Sequence, residues 1–374
     1  MERRRAFSFR SCLGSPQRSS QSPTCRTPTA RRGLTLVELL VVIGIIIVLL
    51  GMFLPMCRRT GGASRRITCA NNLRQIGLAM HNYESAHLEL PMAIGIRNET
   101  GQLQPKRFSG FVAMLPLMEQ ISLYDQIVNP SEFKNVKYPA YGPPFSDQSY
   151  PPWTESVPGF ECPADYASGP FGCTNYAFSI GDTARQIYQP NKLRGPFGAF
   201  KNASFGDITD GTSNTIAFAE MGGPQIDLIS GGFITEGKPE WLDSPGAVFS
   251  QVNKGKGKYK SSKGLGGRGS HWADGSAGIG LINTILPPGS PSFTVSENLN
   301  GDGIYSAGST HPGGVNVVLA DDSTHFISNN IDSGNPNNAT LTVQQIESED
   351  VVASPHGVWG AMGSMAGDEA SDEF

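Results

Sequence analysis

The sequence predicts an α+β protein: a long N-terminal membrane helix followed by an antiparallel β-sheet head with large loop insertions. Residues 39–54 carry no charge, which favours one long apolar helix. Short β-type runs separated by glycine follow in the second half of the chain. The 374 residues include 45 Gly and 27 Pro, together close to a fifth of the chain. The average share of these two residues in proteins is about 12%. That excess favours turns, short strands and long loops over a helical bundle.

Charge is distributed unevenly along the chain. Residues 1–33 hold eight Arg and a single acid, Glu2, whereas the remainder is acidic enough to bring the net charge to -4. Basic residues next to an apolar segment stay on the cytoplasmic side of a membrane. We therefore expect residues 1–33 to form a basic, disordered, cytoplasmic leader, and the acidic body argues against nucleic-acid binding.

The apolar run begins directly after an Arg-Arg-Gly sequence that ends at Gly33. From Leu34 to Met56 the only charged residue is Glu38, and about 20 apolar residues suffice to cross a bilayer. A conventional signal peptide is cleaved after its apolar run at small residues, which are absent here. Cleavage before the run, between Gly33 and Leu34, is typical of prepilin-type precursors. We therefore predict a membrane helix over residues 34–56.

Glu38 is an isolated acid at the head of this apolar helix. A carboxylate in hydrocarbon needs a partner. Cleavage after Gly33 would free an α-amino group on Leu34, one helical turn away, and a neighbouring subunit could present the same amine. The alternative is that Glu38 lies at the membrane interface of a simple anchor.

Beyond Pro55, which should kink the chain, the sequence predicts a helical stem over residues 57–90. Its apolar residues recur at spacings of three and four, which indicates a core-facing stripe: Leu73, Ile76, Met80 and Tyr83. A further helix is predicted over residues 111–127, and loops over residues 129–159.

Strands are predicted in the second half of the chain. Residues 214–220 follow a turn at residues 207–213, and residues 315–319 and 324–327 flank Asp321-Asp322 as a tight hairpin. Residues 254–263 alternate Lys, Gly and Ser and should form an exposed loop. The head is expected over residues 91–362, and an acidic disordered tail over residues 363–374.

Several sequence blocks together resemble the planctomycete family of prepilin-type N-terminal cleavage/methylation proteins with a domain of unknown function (domain of unknown function 1559). The resemblance rests on residues 31–38, 65–83, 114–120, 160–165, 174–177, 207–216, 283–288 and 311–321. This chain departs from the family pattern at Leu34, where the family has Phe, and at Asp322, where it has Gly. Gly61-Gly62 replaces better helix formers.

The resemblance implies a type IV pilin-like or pseudopilin subunit with a structural role in type II secretion or a pilus-like assembly. Its partners would be prepilin peptidase, the inner membrane and other pilin-like subunits, with the head on the extracytoplasmic side. The alternative is a non-polymerising surface protein whose head binds extracellular ligands such as glycans.

The chain also contains candidate residues for a disulfide, a calcium site and a catalytic site. If the head is exported, Cys162 and Cys173 could pair or remain free thiols. Asn298, Asn300 and Asp302 are spaced like oxygen ligands of a Ca²⁺ loop, but Ser309 occupies the position where Glu is usual. No other cofactor is expected. We predict no enzyme, because hydrolase motifs are absent around the polar candidates His271, Asp274, His311, Asp321, Asp322 and His325.

Overall fold

The computed structural model describes residues 35–98, 100–104, 106–165, 169–261, 264–297 and 299–368, with backbone alone at residues 50–61 and 254. The chain divides into two compact units between Arg58 and Arg59. The described residues form a mixed α+β structure, as the sequence predicts. The predicted leader, residues 1–33, lies outside the described ranges.

Helix α1 is by far the longest helix described, and the others are short. The helices are α1 (Leu36–His87), α2 (Gly110–Met114), α3 (Ile121–Val128), α4 (Pro151–Thr154), α5 (Ala277–Gly280), α6 (Val343–Glu347) and α7 (Gly357–Ala361). The backbone of α1 is helical through Pro55 and Gly61-Gly62. Within the described ranges, no helix combines the length and the apolar character that a membrane crossing requires.

The strands form two larger sheets and two small hairpins. They are β1 (Ser131–Phe133), β2 (Val136–Tyr138), β3 (Tyr176–Ser179), β4 (Ile216–Glu220), β5 (Gly232–Ile234), β6 (Val252–Asn253), β7 (Lys258–Tyr259), β8 (Leu265–Gly267), β9 (Leu281–Ile282), β10 (Ser292–Thr294), β11 (Gly303–Ile304), β12 (Gly314–Leu319) and β13 (Thr324–Ser328). The main sheet has the order β13-β12-β4-β3-β9, and the second sheet has the order β11-β10-β5-β8.

The main sheet is antiparallel from β13 to β3, and β9 joins its edge in parallel. The predicted hairpin is confirmed, because Gly314 to Val318 pair with Ser328 to Thr324. Asp322 in the turn has a φ of 71°, a left-handed conformation in which Gly is the default residue and Asp is tolerated.

The second half of α1 packs on one face of the main sheet. Its predicted stripe is buried, with Leu73, Ile76 and Met80 fully inaccessible and Tyr83 nearly so. They join a core with Phe178 and other aromatic side chains of the sheet.

The other face of the main sheet is covered as well. Val315, Val317 and Leu319 pack there against Trp359 and Met362. Because both faces are covered, β12 is buried along its whole length and its sequence does not alternate.

Four predictions of local structure need correction. The helix predicted over residues 111–127 is divided into α2, a 3₁₀ turn and α3, because Pro116 lies in the turn and Glu119 ends it with a φ of 62°. Residues 129–159 contain the β1–β2 hairpin and α4. Residues 254–261 contain β7, whose Tyr259 is buried. Of the predicted tail, residues 363–368 are held by the head, since Asp210 accepts hydrogen bonds from the amides of Gly367 and Asp368.

Candidate functional site

The first turn of α1 is closed by Thr35 and Glu38. The Thr35 amide and hydroxyl each donate to Glu38 Oε2 at 2.8 Å, and the Glu38 amide donates to Thr35 Oγ1 at 3.3 Å. This reciprocal arrangement is a capping box, which satisfies amides that a helix N-terminus otherwise leaves unpaired. Glu38 thus has a local structural role that the sequence analysis did not foresee. The processing residues Gly33 and Leu34 lie outside the described residues.

The large apolar side chains on both sides of Glu38 in the sequence lie on every side of the helix, and all of them are exposed. Their exposed fractions range from 44% at Ile43 to 75% at Leu36. The exposed residues are Leu36, Val37, Leu39, Leu40, Val41, Val42, Ile43, Ile45, Ile46, Ile47, Val48 and Leu49. An apolar surface of this size marks a site that contacts lipid or protein.

Helix α1 meets the β12–β13 turn at Gly77. A Cβ atom at this position would overlap Asp322 Oδ1 and lie 3.0 Å from Val318 Cγ2, so a larger residue would require both side chains to shift. Asp322 Oδ2 lies 4.0 Å from Arg74 Nε, while Oδ1 has no hydrogen-bond partner among the described residues. Burial raises the pKa of Asp322 above its ordinary value. Asp322, where the chain departs from the family pattern, is therefore a contact between turn and helix.

Four buried side chains form a second cluster: Cys69, Cys162, Glu220 and His311. Their ligand atoms all lie within 4.8 Å of one another. His311 Nε2 is 3.6 Å from Cys162 Sγ and 3.5 Å from Glu220 Oε1. Glu220 also accepts hydrogen bonds from the side chain and the amide of Asn316, at 2.7 and 2.9 Å.

Separate elements fix each member of this cluster. Cys69 lies on α1, and Tyr176 of β3 donates a hydrogen bond to its carbonyl. The Cys162 amide donates to Asn175 Oδ1 at 2.8 Å, which holds the Cys162 loop against the sheet. Glu220 ends β4, and His311 precedes β12. Four of the sequence blocks that carry the family resemblance meet here: residues 65–83, 160–165, 174–177 and 311–321.

Of the two alternatives left open for Cys162 and Cys173, a disulfide between them is not found, and the free thiol is found for Cys173 alone. Cys162 forms a disulfide with Cys69, with a Cα–Cα distance of 5.2 Å, and Cys173 is a buried free thiol. Burial raises the pKa of Cys173 to about 11, so it is an inert thiol at neutral pH. Sequence proximity favoured Cys173, but the packing of α1 on the sheet brings Cys69 to Cys162 across 93 residues.

The polar candidates Asp274 and His271 contact other residues of the head. Asp274 binds Arg107 through two hydrogen bonds of 2.8 and 2.9 Å. His271 is enclosed by Phe145, Trp153 and Phe171, and burial lowers its pKa to about 4. Neither residue belongs to the cluster around His311.

The two candidates near the β12–β13 turn are engaged locally. Asp321 accepts from the amide and hydroxyl of Ser323, and an exposed ring nitrogen of His325 lies 3.2 Å from the same hydroxyl. Of the six candidates considered from sequence, His311 alone joins a group of possible metal ligands within the described ranges.

The predicted calcium loop is only partly described, because Asn298 lies outside the described residues. Asp302 Oδ1 accepts the Ile187 amide at 3.1 Å, and Asn300 Oδ1 lies 3.4 Å from the Ala277 amide. Ser309 accepts the His311 amide. These oxygens lie within hydrogen-bonding distance of backbone amides. Calcium binding at this loop stays a prediction.

Two open cavities of about 460 and 440 Å³ share Arg107 and Tyr188 in their linings, and together they are called the groove below. Phe145 lines one cavity, and Glu297 and Asn300 line the other. Aromatic side chains beside polar groups suit a polar ligand with an apolar face.

Comparison with known proteins gives one match. A family model described as "Protein of unknown function (DUF1559)" matches residues 62–334, well over half of the chain, and this range includes all four members of the buried cluster. No curated protein and no solved structure matches the chain significantly. The chain therefore belongs to the DUF1559 family of proteins of unknown function.

Proposed function

We propose that the protein is a membrane-anchored, pilin-like subunit that prepilin peptidase processes and that serves a structural role in a type II secretion or pilus-like assembly. The observation that carries this proposal is the exposed start of α1, from Leu36 to Leu49, where Glu38 is the only charged residue. A helix that is apolar on all sides requires apolar surroundings. Lipid supplies them before assembly, and the helices of neighbouring subunits supply them in a fibre.

The second half of α1 supports the same proposal. It buries its stripe on an antiparallel part of the main sheet, and the Cys69–Cys162 disulfide ties it to the head. A helix whose second half is fixed to the head and whose first half is apolar suits a subunit with a membrane anchor.

Glu38 is the residue on which assembly depends in this proposal. Processing after Gly33 would place a free amine on Leu34, and a neighbouring subunit's amine would pair with the Glu38 carboxylate. The capping box with Thr35 gives Glu38 a second role, because it shapes the helix start. An experiment must therefore separate the charge of Glu38 from its cap.

Glu38→Gln and Glu38→Ala achieve this separation. Gln retains the capping interaction and loses the charge, whereas Ala loses both. We expect both variants to lose incorporation into the fibre or pseudopilus, measured by shear release or crosslinking between subunits. If Glu38→Gln assembles normally and only Glu38→Ala fails, Glu38 acts as a cap. If both assemble, the subunit proposal fails.

Processing is tested by the intact mass of the membrane-extracted protein. We expect a chain that begins at Leu34 with a methylated amine. Substitution of Gly33 by Ala should retain the leader, while substitution of Gly44, which has open space around it, should not. An N-terminus at Met1 in the wild-type protein would contradict the proposal.

The groove at Arg107 and Tyr188 favours a second candidate function, a surface-anchored protein whose head binds an extracellular ligand such as a glycan. Arg107 is paired with Asp274, so its positive charge is compensated and the groove suits a neutral ligand. A glycan array probed with the wild-type protein and with Tyr188→Ala tests this function. Binding that depends on Tyr188 but not on Glu38 would favour a non-polymerising receptor.

A further inference from the structure

We infer that the buried cluster of Cys69, Cys162, Glu220 and His311 is a redox-controlled metal site, which binds one Zn²⁺-like divalent ion when the disulfide is reduced. This inference concerns the compact unit that begins at Arg59 and does not depend on the proposed function.

The donor set matches a tetrahedral zinc site. Two thiolates, one imidazole nitrogen and one carboxylate oxygen are the ligand types that Zn²⁺ takes in proteins. The four ligand atoms lie within 4.8 Å of one another, and all four residues are buried. Zn²⁺ ligands lie about 2.0–2.3 Å from the metal, so small shifts of the side chains suffice once the sulfur–sulfur bond is broken.

Hydrogen bonds from neighbouring residues already orient Glu220 and Cys162. Asn316 donates its side-chain amide to Glu220 Oε1 and its backbone amide to Oε2. The Cys162 amide is held by Asn175, whose own amide donates to Asp165 Oδ2 at 3.0 Å. Such partners fix ligand geometry in metal sites. A carboxylate placed next to an imidazole and two sulfurs is otherwise costly to bury.

Metal binding and the disulfide exclude each other, because the same two sulfurs take part in both. An external dithiol opens the site. Its thiolate attacks Cys162, the more exposed of the two cysteines, and the Cys69–Cys162 bond breaks. The second thiol then releases the reductant as its own disulfide, so two electrons and two protons pass to Cys69 and Cys162. The metal displaces the two thiol protons into solvent.

The test uses the full chain in detergent with Cys12, Cys25 and Cys57 replaced by Ser, so that these cysteines cannot contribute. One sample is kept oxidised, and the other is reduced with a dithiol that is then removed without air. Co²⁺ serves as the probe, since thiolate coordination gives it strong charge-transfer absorption. We expect one equivalent of Co²⁺ with thiolate bands in the reduced sample and none in the oxidised sample, and Zn²⁺ should displace the Co²⁺.

Variants identify the ligands. His311→Gln and Glu220→Gln should each weaken the affinity for Co²⁺ at least about tenfold. Cys69→Ser should abolish the absorption bands expected when both Cys69 and Cys162 coordinate Co²⁺. Cys173→Ser is the matched control, because this buried cysteine lies outside the cluster, and it should bind Co²⁺ like the parent protein. Circular dichroism confirms that each variant is folded.

Two outcomes would overturn the inference. The first is a reduced, folded parent protein that takes up no Co²⁺, since this comparison requires no substitution within the cluster. The second is uptake that persists unchanged in His311→Gln and Glu220→Gln, which would place the metal elsewhere.

Discussion

Between Leu36 and Leu49 every large apolar side chain of α1 is exposed, whereas between Cys69 and Tyr83 the same helix buries its apolar stripe against the main sheet. The first region is apolar on all sides and finds no cover within the described chain. The second is amphipathic and carries a disulfide. The second half of α1 thus has its partner in the protein's own sheet, whereas the described residues supply no cover for the first half.

The largest expected effect concerns the disulfide that fixes the second region. Closing a loop over 93 residues restricts the unfolded chain, and a loop of this size contributes about 4–5 kcal/mol. The double variant Cys69→Ser/Cys162→Ser should lose stability of this order in urea unfolding of the metal-free protein.

Cys173→Ser is the control for the disulfide. Ser can still donate to the Phe171 carbonyl that Cys173 contacts, so the loss should stay within about 1.5 kcal/mol. Equal losses in the two proteins would show that the disulfide does not restrict the unfolded chain.

A second effect is a pH dependence of the stability of the head. Burial lowers the pKa of His356 from 6.5 to about 4, and neither ring nitrogen has a partner among the described residues. As the pH falls from 6.5 towards 4, the unfolded chain binds a proton that the folded head excludes. Stability should therefore fall by up to about 3 kcal/mol over this range from this residue.

The variant His356→Leu isolates this contribution. Unfolding free energies measured from pH 7 to pH 4 should fall less steeply than in the wild-type protein, although His271 still contributes its own share. The exposed His325 provides the control, and His325→Gln should retain the wild-type slope. A His356→Leu slope equal to the wild-type slope would contradict burial of a neutral imidazole.

The smallest effect compares two glycines of α1. Gly77→Ala would place a methyl group against Asp322 and Val318, and overpacking of this kind costs about 1–3 kcal/mol. Gly62 has open space around it, so Gly62→Ala should gain about 0.5–1 kcal/mol of helix stability. The change in stability of both variants is measured by thermal unfolding.

Asp322→Gly tests the same contact from the turn, because it removes the carboxylate and suits the left-handed conformation at this position. The double variant Gly77→Ala/Asp322→Gly should recover most of the stability that Gly77→Ala loses. Without recovery in the double variant, the clash would have to lie with Val318 or with the helix backbone.

Much of the local structure could be predicted from the sequence. The stripe from Leu73 to Tyr83, the strand at residues 216–220 and the β12–β13 hairpin each have a periodicity or a turn signal that depends on neighbouring residues alone. The second sheet could not be predicted, because its strands are two or three residues long and pair across distant segments. The spacing of Thr35 and Glu38 matches a capping box, so the capping role of Glu38 could have been predicted from sequence. Its position in an apolar helix favoured a role in assembly instead.

The sequence by itself determined the class of the protein, its family, the apolar start of α1 and the location of the stripe. These features follow from composition, spacing and contiguous motifs. The tertiary structure alone decided that Cys69 rather than Cys173 joins Cys162, that Asp322 packs against Gly77, and that Glu220 and His311 lie beside the disulfide. Each of these contacts joins segments far apart in the chain, and only the packing of α1 on the main sheet brings them together.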